Sequence, residues 1–185
     1  MSEKKKKAKI ATVSLAGCFG CHMSLLDIDE ALLDLVELVE FQKSPINDYK
    51  TLNTTCDIGL IEGGCCNVYN IEELKRFRKQ CEILISVGQC AIMGGIPSMR
   101  NAIPLEECFR EAYLVGPSVY NPENIIPTDK ELPALLNKVY PCHEVVKIDY
   151  FLPGCPPEAL LFKEVLLALL EGRTATIPRE FLHYD

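Results

Sequence analysis

Tryptophan is absent from this chain, histidine occurs three times, and no run of 18 or more apolar residues is present. The last absence gives no candidate for a membrane-spanning helix. No G-x-G-x-x-G follows a strand-like run, so there is no dinucleotide-binding fingerprint. The segment Cys18-Phe19-Gly20-Cys21 has no second C-x-x-C or C/H pair at comparable spacing, which is what a structural zinc site usually needs. An excess of basic charge is also missing. Acidic residues number 26 against 19 basic ones, for a net charge of −7, and Lys4–Lys7 with Lys9 place five of the positive charges in a short N-terminal tail. The body is therefore more acidic than the total suggests, which argues against a nucleic-acid surface. Residues 1–8 are expected to be a flexible, solvated tail.

No isolated signal-type apolar segment, cleavage pattern or twin arginine is visible, so a cytoplasmic location with no membrane contact is expected. In that reducing setting the ten cysteines do not read as a disulfide framework. Metal ligation or burial as small hydrophobes must account for them. With 48% hydrophobic residues over 185 positions, the chain can bury a core and reads as a single domain over 1–185.

Apolar strand-like runs alternate with helical patterns. Ile10–Leu15 precedes a helix expected over about Met23–Val36, with Leu25, Ile28, Leu32, Leu35 and Val36 on one face and Asp27, Asp29, Glu30 and Asp34 on the other. Ile58–Ile61 reads as a buried strand ending at Glu62-Gly63-Gly64. Asn70, with Glu73 three residues on, is expected to cap a helix whose Ile71, Leu74 and Phe77 face inward. Ile83–Val87 and Val145–Leu152 are further strands, and Pro156-Pro157 opens a final helix to about Glu171, stopped by Gly172. Helices between the runs favour parallel order. Between Gly94 and Pro141 lie seven of the twelve prolines, with a short helix expected over Leu105–Tyr113. That stretch suits a functional surface or a simple surface connection equally well.

Four cysteines share one setting: each follows an apolar run by a short glycine-containing turn. They are Cys18 and Cys21 in Gly17-Cys18-Phe19-Gly20-Cys21, Cys90 in Gly88-Gln89-Cys90, and Cys155 in Pro153-Gly154-Cys155-Pro156-Pro157. In an open α/β sheet such loops lie along one edge, where ligands bind. Glycines at 17, 20, 88 and 154 allow close backbone approach and can aim N–H groups at sulfur. On the residues alone, an iron–sulfur cluster, a zinc site, a redox dithiol and no site at all remain open.

Those motifs, with Glu62-Gly63-Gly64 and Gly94-Gly95, resemble the small subunit of nickel–iron hydrogenases. The match is strongest with the short cytoplasmic type of NAD-reducing soluble hydrogenases, and it spans roughly residues 8–172. The resemblance implies a flavodoxin-like fold: an open, mainly parallel α/β sheet with helices on both faces. It implies that Cys18, Cys21, Cys90 and Cys155 hold the 4Fe-4S cluster proximal to a Ni-Fe centre in a separate large subunit. The partners it implies are that large subunit, in an obligate heterodimer, and diaphorase iron–sulfur and flavin subunits. Electrons from H2 would pass one at a time toward NAD+, with no catalytic residue in this chain. Larger relatives carry two more clusters in a C-terminal extension, whereas this chain ends one helix after Cys155, so one cluster is expected.

Many relatives carry threonine where Phe19 stands, so a hydroxyl relay is not available at that position. Glu62 matches a family Glu-Gly motif and is expected beside the cluster's ligands or facing the partner near the active site, or else to be an ordinary strand-end carboxylate. His22 is expected to hydrogen-bond a cluster sulfur or the partner, or else to be a capping or surface histidine. His143 and His183 look incidental. Cys65-Cys66 is a tandem pair like the one that ligates a cluster in the related subunit of NADH:quinone oxidoreductase. There, however, the pair occupies the position held here by Cys18 and Cys21, so Cys65 and Cys66 are expected to be structural or interface thiols. FMN rests on analogy with the fold alone, because the first strand–helix loop is given to cysteine and no Ser/Thr-rich phosphate loop is present. A cluster subunit of a quinone-reductase-type complex and a non-catalytic zinc-binding module are the alternative readings.

Overall fold

The computed structural model describes residues 7–181, so Lys4–Lys6 of the expected tail and His183 lie outside the described residues. Ala8, assigned to the tail by sequence, is already in the first strand. Five parallel strands form the main sheet: β1 (Ala8–Ser14), β2 (Val39–Lys43), β3 (Cys56–Glu62), β5 (Cys81–Val87) and β7 (Tyr150–Leu152), in the order β2-β1-β3-β5-β7. This is the 2-1-3-4-5 order of flavodoxin-like sheets. Two further strands, β4 (Cys65–Asn67) and β6 (Leu135–Tyr140), pair antiparallel beside it.

The central strands are apolar along their length because both faces are covered. On one face Ile10, Ile58, Leu60 and Ile85 pack with Leu25 of α1 (Gly20–Leu26), Leu35 of α2 (Ala31–Leu38) and Leu161, Phe162, Val165 and Leu166 of α6 (Ala159–Leu170). On the other, Ala11, Val13, Ile61 and Leu84 pack with Leu74 and Phe77 of α3 (Val68–Gln80) and with Cys65 and Cys142. Two short helices remain, α4 (Gly88–Met93) and α5 (Leu105–Arg110), with a 3-10 turn at Ile96–Ala102 and a π-type turn at Glu111–Val115.

The helix expected over 23–36 is two helices. Asp29 adopts φ 52°, a left-handed conformation that Asp tolerates better than most residues, and it breaks the chain between α1 and α2. The break lets Ile28 turn inward while Asp27, Asp29 and Glu30 stay exposed. The cap of α3 is Asn67, three residues before Asn70. Asn67 Oδ1 accepts from Asn70 N at 2.8 Å, and Asn70 Oδ1 accepts from Cys66 N at 3.1 Å, so the first turn satisfies its donors reciprocally. Glu73 is fully buried and paired with Lys43 and Arg76 instead.

The strand expected over 145–152 shrinks to β7. Val145 N and Val146 N both bond the Cys142 carbonyl at 3.1 Å, so this stretch is a turn that packs on the α3-side core. Asp149 then takes the place of a strand residue against β5: its N–H donates to Leu84 O and its carboxylate accepts from Leu84 N, both at 2.9 Å. The final helix starts at Ala159, two residues after Pro157 rather than at the prolines.

Arg78 clamps this edge. It pairs with Asp149 and donates to the carbonyls of Cys81 (2.8 Å), Glu82 (2.7 Å) and Lys147 (3.1 Å). Partial burial of Asp149 opposes ionisation, but Arg78 and the Leu84 N–H outweigh it and hold the carboxyl below its ordinary value. A carboxyl depressed on folding contributes stability above its unfolded pKa, and that contribution is lost as pH falls through the folded value. Asp149→Ala should cost about 1–3 kcal/mol near neutral pH. The difference from the parent in urea unfolding midpoint should shrink as pH drops below the ordinary Asp range.

Candidate metal centre

Every strand of the main sheet runs the same way, so the carboxyl ends of β1, β3, β5 and β7 lie along one edge. The loops after them are joined by backbone bonds. Leu15 N donates to Glu62 O at 2.7 Å, and Ala16 and Gly64 exchange bonds of 2.9 and 2.8 Å. Gln89 N donates to Gly154 O at 3.1 Å, tying the β5 loop to the β7 loop. Gly63 takes φ 87° at this junction, and a Cβ there would stand within 2.8–2.9 Å of the backbone at Leu15 and Ala16. Only glycine permits that approach.

All four predicted cysteines come to this edge. Cys18 and Cys155 are exposed, while Cys21 and Cys90 are half-buried. Burial pushes the Cys21 thiol well up, and the charges of Glu62, Cys90, Cys18 and Cys155 add to the rise. Cys90 is raised by burial and then by Cys155 and Cys18. The thiols therefore lie within each other's field. Yet among the described residues no group of three or more His, Cys, Asp or Glu side chains is placed to hold a single metal ion. Four cysteine thiols gathered at one strand-end edge are the donor type that an iron–sulfur cluster uses.

Glycine shapes the gap. A Cβ at Gly88 (φ 77°) would overlap the Cys21 sulfur, and one at Gly95 (φ 51°) would stand 2.8 Å from the Cys90 sulfur. Gly20 N approaches Cys18 Sγ at 3.4 Å, an N–H aimed at sulfur as such a centre uses.

Glu62 and His22 stand behind Cys21, and both are buried. The Glu62 carboxylate accepts from Cys21 N at 3.3 Å and from His22 N at 3.1 Å, and it meets His22 Nδ1. His22 Nε2 reaches Thr12 Oγ1 at 3.0 Å, and that hydroxyl lies 2.8 Å from Ser44 Oγ. Phe19 stacks on the His22 ring, with centroids 4.8 Å apart and planes 3° from parallel. The contact explains an otherwise costly backbone, since Phe19 takes φ 69°. Thr12 and Ser44 were not singled out by sequence. The one signal was a polar Thr12 inside an apolar strand run.

Cys65 is buried and Cys66 half-buried. His143 makes an edge contact with Phe151, centroids 6.1 Å apart.

The family profile described as NADH ubiquinone oxidoreductase, 20 Kd subunit, matches residues 18–169. The chain belongs to that family. Within it, the delta subunit of the NAD-reducing hydrogenase HoxS of Cupriavidus necator is 45% identical over 185 residues, covering 100% of this chain and 88% of that one. A subunit of the F420-non-reducing hydrogenase of Methanothermobacter marburgensis is 39% identical over 94% of this chain, which spans only 56% of that relative. In a crystal structure of an NAD+-reducing NiFe-hydrogenase in the H2-reduced state, one chain superposes with a TM-score of 0.94 at 48% identity, covering 97% of this chain and 100% of that chain. The NiFeSe hydrogenase of Desulfomicrobium baculatum shares the fold, with a TM-score of 0.60 at 15% identity over 94% of this chain and 67% of that one. The resemblance drawn from the cysteine motifs is thus borne out at the level of family, and this family member is homologous to the small subunit of NAD-reducing nickel–iron hydrogenases.

Across that homology the geometry assigns Glu62 a positioning role: one carboxylate fixes the first turn of α1 and with it Cys21. Glu62→Ala should strand two buried amides and the imidazole, costing about 1–3 kcal/mol of stability. Hydrogen exchange at the Cys21 and His22 amides should speed up more than at the Leu84 amide, and Glu62→Gln should recover part of the loss.

Proposed function

We propose that this chain is the electron-transfer small subunit of a nickel–iron hydrogenase and holds one 4Fe-4S cluster on Cys18, Cys21, Cys90 and Cys155. The observation that carries this reading is the convergence of four strand-end thiols around a glycine-lined gap. When bound, such a cluster supplies a one-electron store whose potential answers to burial and to N–H groups near sulfur. The chain's own residues prepare the place. Gly88 and Gly95 leave room beside Cys21 and Cys90, Gly20 N points at Cys18 Sγ, and Glu62 fixes the turn that carries Cys21. Burial on the Cys21 and Cys90 side limits water, while the exposed Cys18 and Cys155 leave the other side open to a partner.

The partner in this reading is a large subunit that carries the Ni-Fe centre, in an obligate heterodimer. An apolar surface next to Cys90 supports it: Met93 is 61% exposed, and Ile96 and Met99 are each 73% exposed. Electrons from H2 would pass through this chain toward diaphorase iron–sulfur and flavin subunits and NAD+. A cytoplasmic setting goes with that role, and among the described residues no helix is long and apolar enough to cross a membrane. FMN has only the fold analogy behind it, since the first loop is committed to Cys18 and Cys21. The single-domain reading over 1–185 also belongs to this proposal.

Iron and sulfide analysis with EPR on the anaerobically co-purified subunits tests the assignment. Four irons per chain and one reduced cubane signal are expected, with a loss of at least one iron on Cys18→Ser, Cys21→Ser, Cys90→Ser or Cys155→Ser. Zinc in place of iron, or a cluster that survives Cys18→Ser, would sink it. The isolated chain should show no H2 uptake until the large subunit is added. Gly88→Ala should lower iron content by crowding the Cys21 sulfur while leaving the far-ultraviolet spectrum of the fold intact.

A further inference from the structure

Six cysteines lie outside the set of four, and four of them neighbour one another as two pairs, Cys56 with Cys81 and Cys65 with Cys142. Cys56 opens β3 and Cys81 opens β5, and the two are register partners across the parallel ladder. They sit at the amino edge of the sheet, opposite the strand ends that carry Cys18, Cys21, Cys90 and Cys155. Both face the α3-side core. Neighbouring strands lie about 4.8 Å apart, within the roughly 4.4–6.8 Å between Cα atoms that a disulfide spans. Gly59 leaves the space beside them, because a Cβ there would stand 2.8 Å from the Cys81 sulfur.

The two thiols are not equivalent. The neighbouring Cys81 thiol lowers the Cys56 pKa against the opposing effects of burial and Asp57, with Lys9 adding to the fall. The presence of Cys56, together with burial, raises Cys81. Cys56 is thus the nucleophilic sulfur and Cys81 the resolving one. Access is narrow but present. Cys56 is 4% exposed and Cys81 3%, and the residues flanking Cys56 on both sides, Thr55 and Asp57, are exposed. Cys65 and Cys142 differ here: each is 0% exposed, and Cys142 Sγ donates to the Gly63 carbonyl at 3.4 Å. Only a small oxidant can reach the first pair, and the second is sealed.

We propose that Cys56 and Cys81 form a reversible dithiol–disulfide site oxidised by hydrogen peroxide. The Cys56 thiolate attacks one peroxide oxygen, an S–O bond forms and the O–O bond breaks. The hydroxide released takes up the proton given up by Cys56 and leaves as water. Cys81 then attacks the Cys56 sulfur, an S–S bond forms and the S–O bond breaks, and hydroxide departs as water with the Cys81 proton. Two sulfurs lose two electrons in all, and the peroxide gains them. A dithiol reductant reverses the change.

The test uses the anaerobically purified complex treated with hydrogen peroxide, then denatured, alkylated and digested for mass spectrometry. A peptide pair linked through Cys56 and Cys81 is expected, with loss of alkylation at both, full recovery after dithiothreitol, and Cys65 and Cys142 still alkylated. In Cys81→Ser, dimedone should trap Cys56 as a sulfenic acid, whereas in Cys56→Ser, Cys81 should stay alkylatable and untrapped. Full alkylation of Cys56 and Cys81 in the parent at peroxide doses that already bleach its visible absorbance would overturn the proposal. Linkage of Cys65 to Cys142 with Cys56 and Cys81 left free would overturn it as well.

Discussion

A carboxylate almost completely removed from water holds the working edge of this molecule together. An unpaired buried charge is not tolerated in a protein interior, so Glu62 must be met by donors. It finds them in the Cys21 and His22 amides and the His22 ring, all from the turn that opens α1. The end of β3 is thereby fastened to the loop after β1. That loop is fastened again by the Ala16–Gly64 backbone pair. Removing the charge would free several constraints at once, because the same few residues also seat Phe19 and one of the four thiols.

Around that fastening the sheet supplies direction. Five parallel strands bring their carboxyl ends to one side, and the order β2-β1-β3-β5-β7 sets β1, β3 and β5 in the middle. Residues far apart in sequence become neighbours with no dedicated scaffold. The loops can then be short, and glycine lets them crowd. The polar chain from Glu62 through His22 and Thr12 of β1 ends on Ser44, the residue after β2, and every member of it has a partner. A fully partnered buried chain stiffens its surroundings, where a half-satisfied one would weaken them.

The central strands and the four cysteine turns were legible because their cause is local. A strand covered on both faces must be apolar throughout, and glycine marks the positive-φ turns at Gly63, Gly88 and Gly154. β2 was not legible: Glu40, Gln42 and Lys43 dilute its pattern, and Lys43 is buried only because Glu73, distant in sequence, neutralises it. The break at Asp29 was hidden for a similar reason, since the apolar spacing runs smoothly across it. The strand over 145–149 looked convincing from its valines, but Cys142 and Asp149 capture the backbone bonds that a strand would need. Glu62 and His22 were visible as candidates and invisible as buried ones. Nothing in a strand-end carboxylate announces that its charge will be met from another loop.

The placement of β7 carries a consequence for the order in which the molecule is completed. It is the shortest strand of the main sheet, it occupies an edge, and it is encoded after the other four. The first two thiols leave the ribosome well over a hundred residues before Cys155 does, so the gathering of all four waits on the docking of one three-residue edge strand. Synthesis runs from the amino end, and the earlier strands have time to associate before that moment. The four-thiol edge is therefore completed after the rest of the sheet, at the moment its last and shortest strand docks.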